Sequence, residues 1–207
     1  MFKSLRHAFL VLGLAFLSSQ LLAAPARAGD APEQIVRSAS KDVLEIIKKN
    51  DKDSAKMRDQ VDARLSPLAD YKRMTSLAAG QYWKSATPAQ QDALTTEFRA
   101  MLIRTYLSAL TLYKNAQINI KGTRAGNDSD EQTVRTEVTL PGQKPIPLDF
   151  MFEKQSNDWK IFDISVDGIS FINNHRNQFG SVIRKDGIDG LIKQLSDRNN
   201  AAKQGKQ

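Results

Sequence analysis

The sequence predicts an α+β fold: a curved antiparallel sheet of about four strands, covered on one face by several helices. Three observations carry this. From Pro32 to Tyr113 apolar residues recur at helical spacing, from Ile118 to Val166 they alternate, and from Ile169 onward helical spacing returns. Elements grouped as helices, strands and helices segregate to one side of an antiparallel sheet, whereas a parallel sheet needs the two in alternation. No internal repeat or long low-complexity linker interrupts the 207 residues, a length that suits one domain with a sizeable core.

Residues 1–28 are expected to be a signal peptide. Lys3, Arg6 and His7 form a positive start, Ala8 to Leu17 is apolar, and Ala26-Arg27-Ala28 offers a small-x-small cleavage site. The apolar run is short for a membrane span. Residues 29–198 then form a single domain, and 199–207 a polar, frayed tail.

The first helix begins at Pro32 and carries Ile35, Val36, Ala39, Val43, Ile46 and Ile47. Asn50 to Asp53 is a polar break. A second helix spans Ser54 to Leu65 and stops near Pro67, and Asp70 caps a third that buries Tyr71, Met74, Leu77 and Ala78. The segment from Gly80 opens GQYWKSATPAQQ and continues to Tyr113 as one long helix. Thr87 is its N-cap, Pro88 takes the first helical position, and Gln90 completes a capping box. Leu94, Phe98, Met101, Leu102, Thr105 and Leu112 make an apolar stripe along it.

Ile118 and Ile120 mark a short strand, and Gly122 to Glu131 a polar turn. Val134, Thr136, Val138 and Leu140 share one face of the next strand, with Arg135 and Glu137 on the other. Pro141-Gly142 and Pro145 to Pro147 punctuate a hairpin. Leu148, Phe150 and Phe152 alternate with Asp149, Met151 and Glu153. After Asn157-Asp158 the last strand, Trp159 to Val166, places Phe162, Ile164 and Val166 on one face. Helical spacing returns with Ile169, Ile172, Phe179, Val182 and Ile183. Gly187 breaks it, and Ile188, Leu191, Ile192 and Leu195 form a final short helix.

Composition bounds the function. The formal charge is +7; removing the three cations of residues 1–28 leaves 27 basic against 23 acidic residues, a net +4. The charges are interspersed, which argues against nucleic acid as a partner and allows attraction to anionic membranes or acidic proteins. Cysteine is absent, so no disulfide staples the fold and no lipid-modified cysteine anchors it.

The residues give no catalytic constellation. His175 is the one histidine after residue 28, and it reads as an exposed helix residue that is expendable for stability. Ser170 lies near it without a nucleophile elbow or an orienting acid. Asp149 and Asp163 are expected on the wet side of the sheet, and Asp167-Gly168 in a strand-ending turn. The GIDG run of Gly187 to Gly190 lacks the lysine and hydroxyl of a phosphate loop and reads as a cap or turn. No metal or cofactor is implied.

The ordered set GQYWKSATPAQ, EFRAMLIRTYLSALTLY, PLDFMF, WKIFDISVDGIS and KDGIDGLIKQL resembles the MlaC family, over roughly Ala31 to Leu195. Those are periplasmic phospholipid carriers, also described as toluene-tolerance or ABC-transporter auxiliary proteins. The resemblance implies a soluble, monomeric periplasmic carrier without enzymatic activity. It would shuttle phospholipid between an outer-membrane lipoprotein–porin complex and an inner-membrane ABC transporter with an MCE-domain subunit, and so maintain outer-membrane lipid asymmetry.

As the residues stand, an ordinary dry core accounts for the apolar surface. The resemblance implies instead that sheet and helices stand apart around a pocket for acyl chains. On the sheet its wall would draw on Val134, Val138, Leu140, Leu148, Phe150, Phe152, Phe162, Ile164 and Val166. On the helices it would draw on Leu102, Tyr106, Leu110, Phe171, Phe179, Ile183 and Leu191. Lys84, Arg99, Arg104 and Arg176 are the cations that could meet a headgroup phosphate. The alternatives are a carrier of another lipid, such as a hopanoid or cardiolipin, an exported hydrolase with a carboxylate site, and an adaptor whose apolar residues all pack internally.

Overall fold

The computed structural model describes residues 31–107 and 112–203. The expected signal peptide, Leu110 and the last four residues lie outside them. Helix α1 (Pro32–Lys49) starts with proline at its first position and buries Ile35, Val36, Ala39 and Ile47. The Asn50 amide donates to Ile46 O at 2.8 Å and to Gln60 Oε1 at 2.9 Å, so the polar break ties α1 to α2 (Ser54–Leu65). Asp53 caps α2 by accepting from Lys56 N at 3.0 Å. Met57 and Val61, both fully buried, pack on Ile47 in a small cluster of their own.

Helix α3 (Tyr71–Ala79) is capped by Asp70, which accepts from Arg73 N at 2.8 Å. The same residue's N–H donates to Ile161 O at 2.9 Å, beside a parallel bridge between Ala69 and Ile161. That pairing fixes the entry of α3 against the sheet. A 3-10 turn (Gly80–Ser85) leads to α4 (Pro88–Leu102), whose capping box between Thr87 and Gln90 is fully formed. Here the expectation of one long helix to Tyr113 fails. The α-helix gives way at Ile103 to a π turn (Ile103–Leu107). Its i→i+5 spacing rotates later side chains off the apolar stripe. Leu94, Phe98 and Met101 are buried, whereas Thr105 is exposed and Leu112 is 73% exposed.

The sheet is antiparallel throughout, in the order β1 (Gln117–Ala125), β2 (Glu131–Thr139), β3 (Ile146–Gln155), β4 (Asp158–Val166) and β5 (Ile169–Ser170). β1 outruns the expected Ile118–Ile120 because a bulge absorbs Lys121, next to Gly122 whose φ is +114°, and the chain turns only after Ala125. β5 is the fifth strand. Asp167 and Gly168, with φ of +50° and +79°, fold the chain back so that Ser170 pairs with Ser165.

A second bulge changes the inner face of β4. Met151 pairs with Asp163 and Phe152 with Ile161, which leaves Phe162 without a partner. Strict alternation would put Phe162 beside Ile164 and Val166. Instead Ile161 takes the buried position opposite Phe152, and Phe162 lies under the Arg73 guanidinium, 4.7 Å from its ring centroid.

Helix α5 (Phe171–Lys203) kinks at Gly187, whose φ of +73° is open to glycine at little cost. Its second half continues to Lys203, into the expected polar tail. Asn199 is only 4% exposed: its amide donates to Glu97 O at 3.0 Å and to Glu97 Oε2 at 2.6 Å, and its oxygen accepts from Arg104. Polar residues that find partners on a neighbouring helix extend α5 where composition alone suggested fraying. The main core gathers Ile35 and Val36, Met74 and Ala78, Leu94 and Phe98, Val134, Phe152 and Ile161, with Phe179, Ile183, Leu191 and Leu195 of α5. Among the described residues no helix is long and apolar enough to cross a membrane.

Candidate functional site

Sheet and helices do not close completely. Two adjoining cavities remain between them. The first, of about 140 Å³, lies among α2, α3, the end of α4, β3, β4 and the start of α5. Its wall is Leu65, Ala69, Tyr71, Met74, Leu102, Ile103, Tyr106, Phe150, Ile161, Ile164, Phe171 and Ile172, with the carboxylates Asp62 and Asp163. The second, of about 230 Å³, lies between α1 and the other end of the sheet. Val43, Leu44, Ile47, Tyr113, Ala116, Ile118, Val138, Ile146, Leu148 and Val166 line it. Tyr106 and Phe171 belong to both. Their rings are stacked, 4.1 Å between centroids and 13° from parallel. Burial without water pushes the Tyr106 hydroxyl above its ordinary pKa.

The structure thus brings Leu102, Tyr106, Val138, Leu148, Phe150, Ile164, Val166 and Phe171 to cavity walls. It places Val134, Phe152, Phe179, Ile183 and Leu191 in the close-packed core, and Leu140 and Phe162 half-buried away from both walls. Sequence reasoning missed Ile161 and Ile103, the first displaced inward by the β4 bulge and the second by the π turn. It also missed Val43, Leu44 and Ile47 as wall residues. The place of Val43 and Ile47 on the apolar stripe of α1 was visible, but not that of Leu44, nor that this end of α1 faces open space.

A polar recess adjoins the first cavity and shares Asp62 and Ile103 with it. Arg58, Asp59, Ala100, Arg104, Asn199 and Ala202 complete it. Of the four headgroup cations, only Arg104 borders this recess. The Arg99 guanidinium donates to both oxygens of Asp62, at 3.0 and 2.8 Å, and to Ser66 Oγ at 2.9 Å, and lies 5.3 Å from the centre of the Tyr71 ring. Arg176 donates to Leu77 O at 2.8 Å and borders a different, exposed recess with Tyr82 and Arg184. Lys84 is exposed and touches neither cavity.

The two carboxylates on the wall are committed to structure. Asp62 serves Arg99 and Ser66. Asp163 was expected in water and is 9% exposed. The bulge at Phe162 and the return of β5 bring it over the start of α5, where it accepts from Ile164 N at 2.8 Å, from Ile172 N at 3.2 Å and from the Ser170 hydroxyl. Ser170 Oγ in turn accepts from Asn173 N at 3.0 Å. The pair caps the helix. Burial raises the pKa of Asp163, and these hydrogen bonds pull against it.

His175, expected on the surface, is 8% exposed. Its ring packs between Phe98 and Phe179, centroids 5.3 and 5.7 Å away, and neither ring nitrogen has a hydrogen-bond partner. The reason is position: His175 lies four residues before Phe179 and so shares the buried stripe of α5. Among the described residues no group of three potential metal ligands converges.

An antiparallel sheet held off its helices by two apolar cavities defines a binding protein for apolar molecules. The chain belongs to the MlaC family of periplasmic lipid-binding proteins: the family model described as MlaC protein matches residues 37–197. It is 26% identical over 186 residues to the intermembrane phospholipid transport system binding protein MlaC of Haemophilus influenzae, covering 86% of this chain and 87% of that one. It is 27% identical over 214 residues to the toluene tolerance protein Ttg2D of Pseudomonas putida, covering 98% and 96%. A phospholipid-binding protein from Ralstonia solanacearum, solved in complex with a phospholipid, superposes with a TM-score of 0.72 at 38% identity, over 80% of this chain and 94% of that one. As a member of this family the protein is a non-catalytic lipid carrier.

Proposed function

We propose that this protein carries phospholipid through the periplasm, with the acyl chains in the two apolar cavities. The observation that carries the reading is the cavity pair itself. Two spaces walled by Leu, Ile, Val and aromatic side chains persist between layers that close packing would otherwise fill. Each methylene withdrawn from water gains about 0.8 kcal/mol, so two chains of roughly thirty methylenes represent about 24 kcal/mol. A lipid does not cross an aqueous compartment without replacing most of that burial. Apolar contact replaces it without directional demands and so discriminates little between headgroups.

The phosphate would sit in the polar recess, where Arg58 and Arg104 adjoin the first cavity across Ile103. By its family, the carrier runs between an outer-membrane lipoprotein–porin complex and an inner-membrane ABC transporter with an MCE-domain subunit, and its role is outer-membrane lipid asymmetry. ATP is spent by that partner, not here. The test is extraction of lipid from protein purified from the periplasm, with identification by mass spectrometry. About one phospholipid per protein is expected. A four-chain lipid or a hopanoid would reassign the cargo, and protein free of lipid would remove the carrier reading.

A further inference from the structure

We propose that the Tyr106–Phe171 stack is a gate that determines how much acyl chain the protein can take: stacked, it divides the space in two, and parted, it joins both cavities into one channel. The inference rests on the reading above that the cavities hold acyl chains. Three observations support it. The two cavities meet at these residues, among the described residues the only pair that lines both, and the rings lie face to face at 4.1 Å. Neither cavity alone, at about 140 and about 230 Å³, reaches the roughly 300–1,000 Å³ of ordinary ligand pockets, whereas the joined space does. Both rings also stand at helix boundaries. Tyr106 is in the π turn that follows α4, and Phe171 is the first residue of α5. A π turn is a recurrent feature of functional sites, and helix ends open before helix middles. The rings can therefore swing apart without unfolding the core, which is anchored elsewhere by Phe98 and Phe179 at 5.0 Å.

The gate makes a distinction that simple cavity enlargement does not. Ile164 lines only the first cavity and Val166 only the second. Truncating either widens one chamber and leaves the partition in place. Truncating Phe171 or Tyr106 removes the partition.

The experiment uses the full protein and vesicles of phosphatidylethanolamine and phosphatidylglycerol of defined chain length. Wild type, Phe171→Ala, Phe171→Leu, Leu140→Ala, Ile164→Ala and Val166→Ala are compared, each checked for folding by circular dichroism. Native mass spectrometry reads lipids per protein and acyl carbons per lipid, and stopped-flow transfer reads the uptake rate. Phe171→Ala and Phe171→Leu should load about two- to tenfold faster, the range that loss of one aromatic pair allows, and accept longer chains. Leu140→Ala, on neither wall, should match wild type, and Ile164→Ala and Val166→Ala, which widen one chamber only, should shift the chain-length limit less than the Phe171 variants do. If the Phe171 variants load and select like wild type, or if the two single-wall variants shift the limit equally, the stack is not a gate. Wild type that takes up no lipid sinks the carrier reading itself, a different outcome from either.

Discussion

The imidazole of His175 stands edge-on to the ring of Phe98, with centroids 5.3 Å apart and planes at 80°. This buried histidine has no hydrogen-bond partner, and loss of solvent holds its pKa below the ordinary 6.5. The unfolded chain therefore binds a proton that the folded one refuses. Stability contributed by this site is present above pH 6.5 and is lost as pH falls through the lower folded pKa. His175→Phe should flatten the decline in urea midpoint below pH 6.5 and leave lipid occupancy unchanged. His175→Ala should instead cost about 1–3 kcal/mol at neutral pH, through the void left between Phe98 and Phe179. An equal acid slope in wild type and His175→Phe would show that the proton acts elsewhere.

Asp163 titrates with the opposite sign. Its folded pKa is raised above the ordinary 3.8, so ionisation disfavours the folded state. Its stability contribution is fully present below pH 3.8 and is lost as pH rises through the folded pKa. Asp163→Asn keeps an oxygen for the N–H groups of Ile164 and Ile172 and an amide for Ser170, but cannot ionise. The stability of Asp163→Asn relative to wild type should therefore increase from pH 4 to pH 7, measured by urea unfolding at each pH. A constant difference would mean that hydrogen bonding to the carboxylate cancels the effect of its burial, and a falling one that it outweighs it.

How much of this was legible in the sequence depends on local chemistry. Asp70 and Thr87 announce their helices because an N-cap needs only the residues that follow it. The alternation from Val134 to Val138 and from Leu148 to Phe152 gives the sheet and its faces. The bulge at Phe162 is invisible to alternation: after it Ile164 and Val166 keep the inner face, but before it the extra residue turns Ile161 inward in place of Phe162. The fate of Asp163 depends on contacts with Ser170 and Ile172, which no spacing rule reports, whereas the burial of His175 was carried by its i, i+4 spacing to Phe179. Phe150 and Phe152 have identical local patterns, yet one lines a cavity and the other is fully buried in the core. Where layers stand apart is a tertiary property. Only the family resemblance pointed to it.

A charge on the wall should separate binding from folding. Leu148 on the central strand β3 faces the second cavity and is half-buried. Leu148→Asp puts a short carboxylate, unable to reach water by bending, against Val138, Ile146 and Val166. Leu140→Asp is the control, half-buried but on neither wall. Leu148→Asp should lose most co-purified lipid, at least fivefold against the control, and destabilise the protein by about 1–3 kcal/mol. Equal lipid content in the two folded variants would place the acyl chains away from this wall.

Salt should separate the partner from the cargo. Lys84, Arg176, Arg184 and Lys185 are all exposed, and Arg176 and Arg184 border one recess beside Tyr82. None of them touches either apolar cavity. A carrier that must dock, deliver and leave is served by weak, electrostatically steered encounters, which salt screens over a Debye length of about 8 Å at physiological strength. Contact between acyl chains and an apolar wall is not screened. Affinity for the MCE-domain subunit, measured by surface plasmon resonance, should therefore fall steadily from low to physiological salt, and Arg176→Ala with Arg184→Ala should flatten the slope. Lipid retained by the isolated carrier over the same salt series should stay constant. Docking that ignores salt while lipid is lost steeply would assign these charges to the ligand and not to the partner.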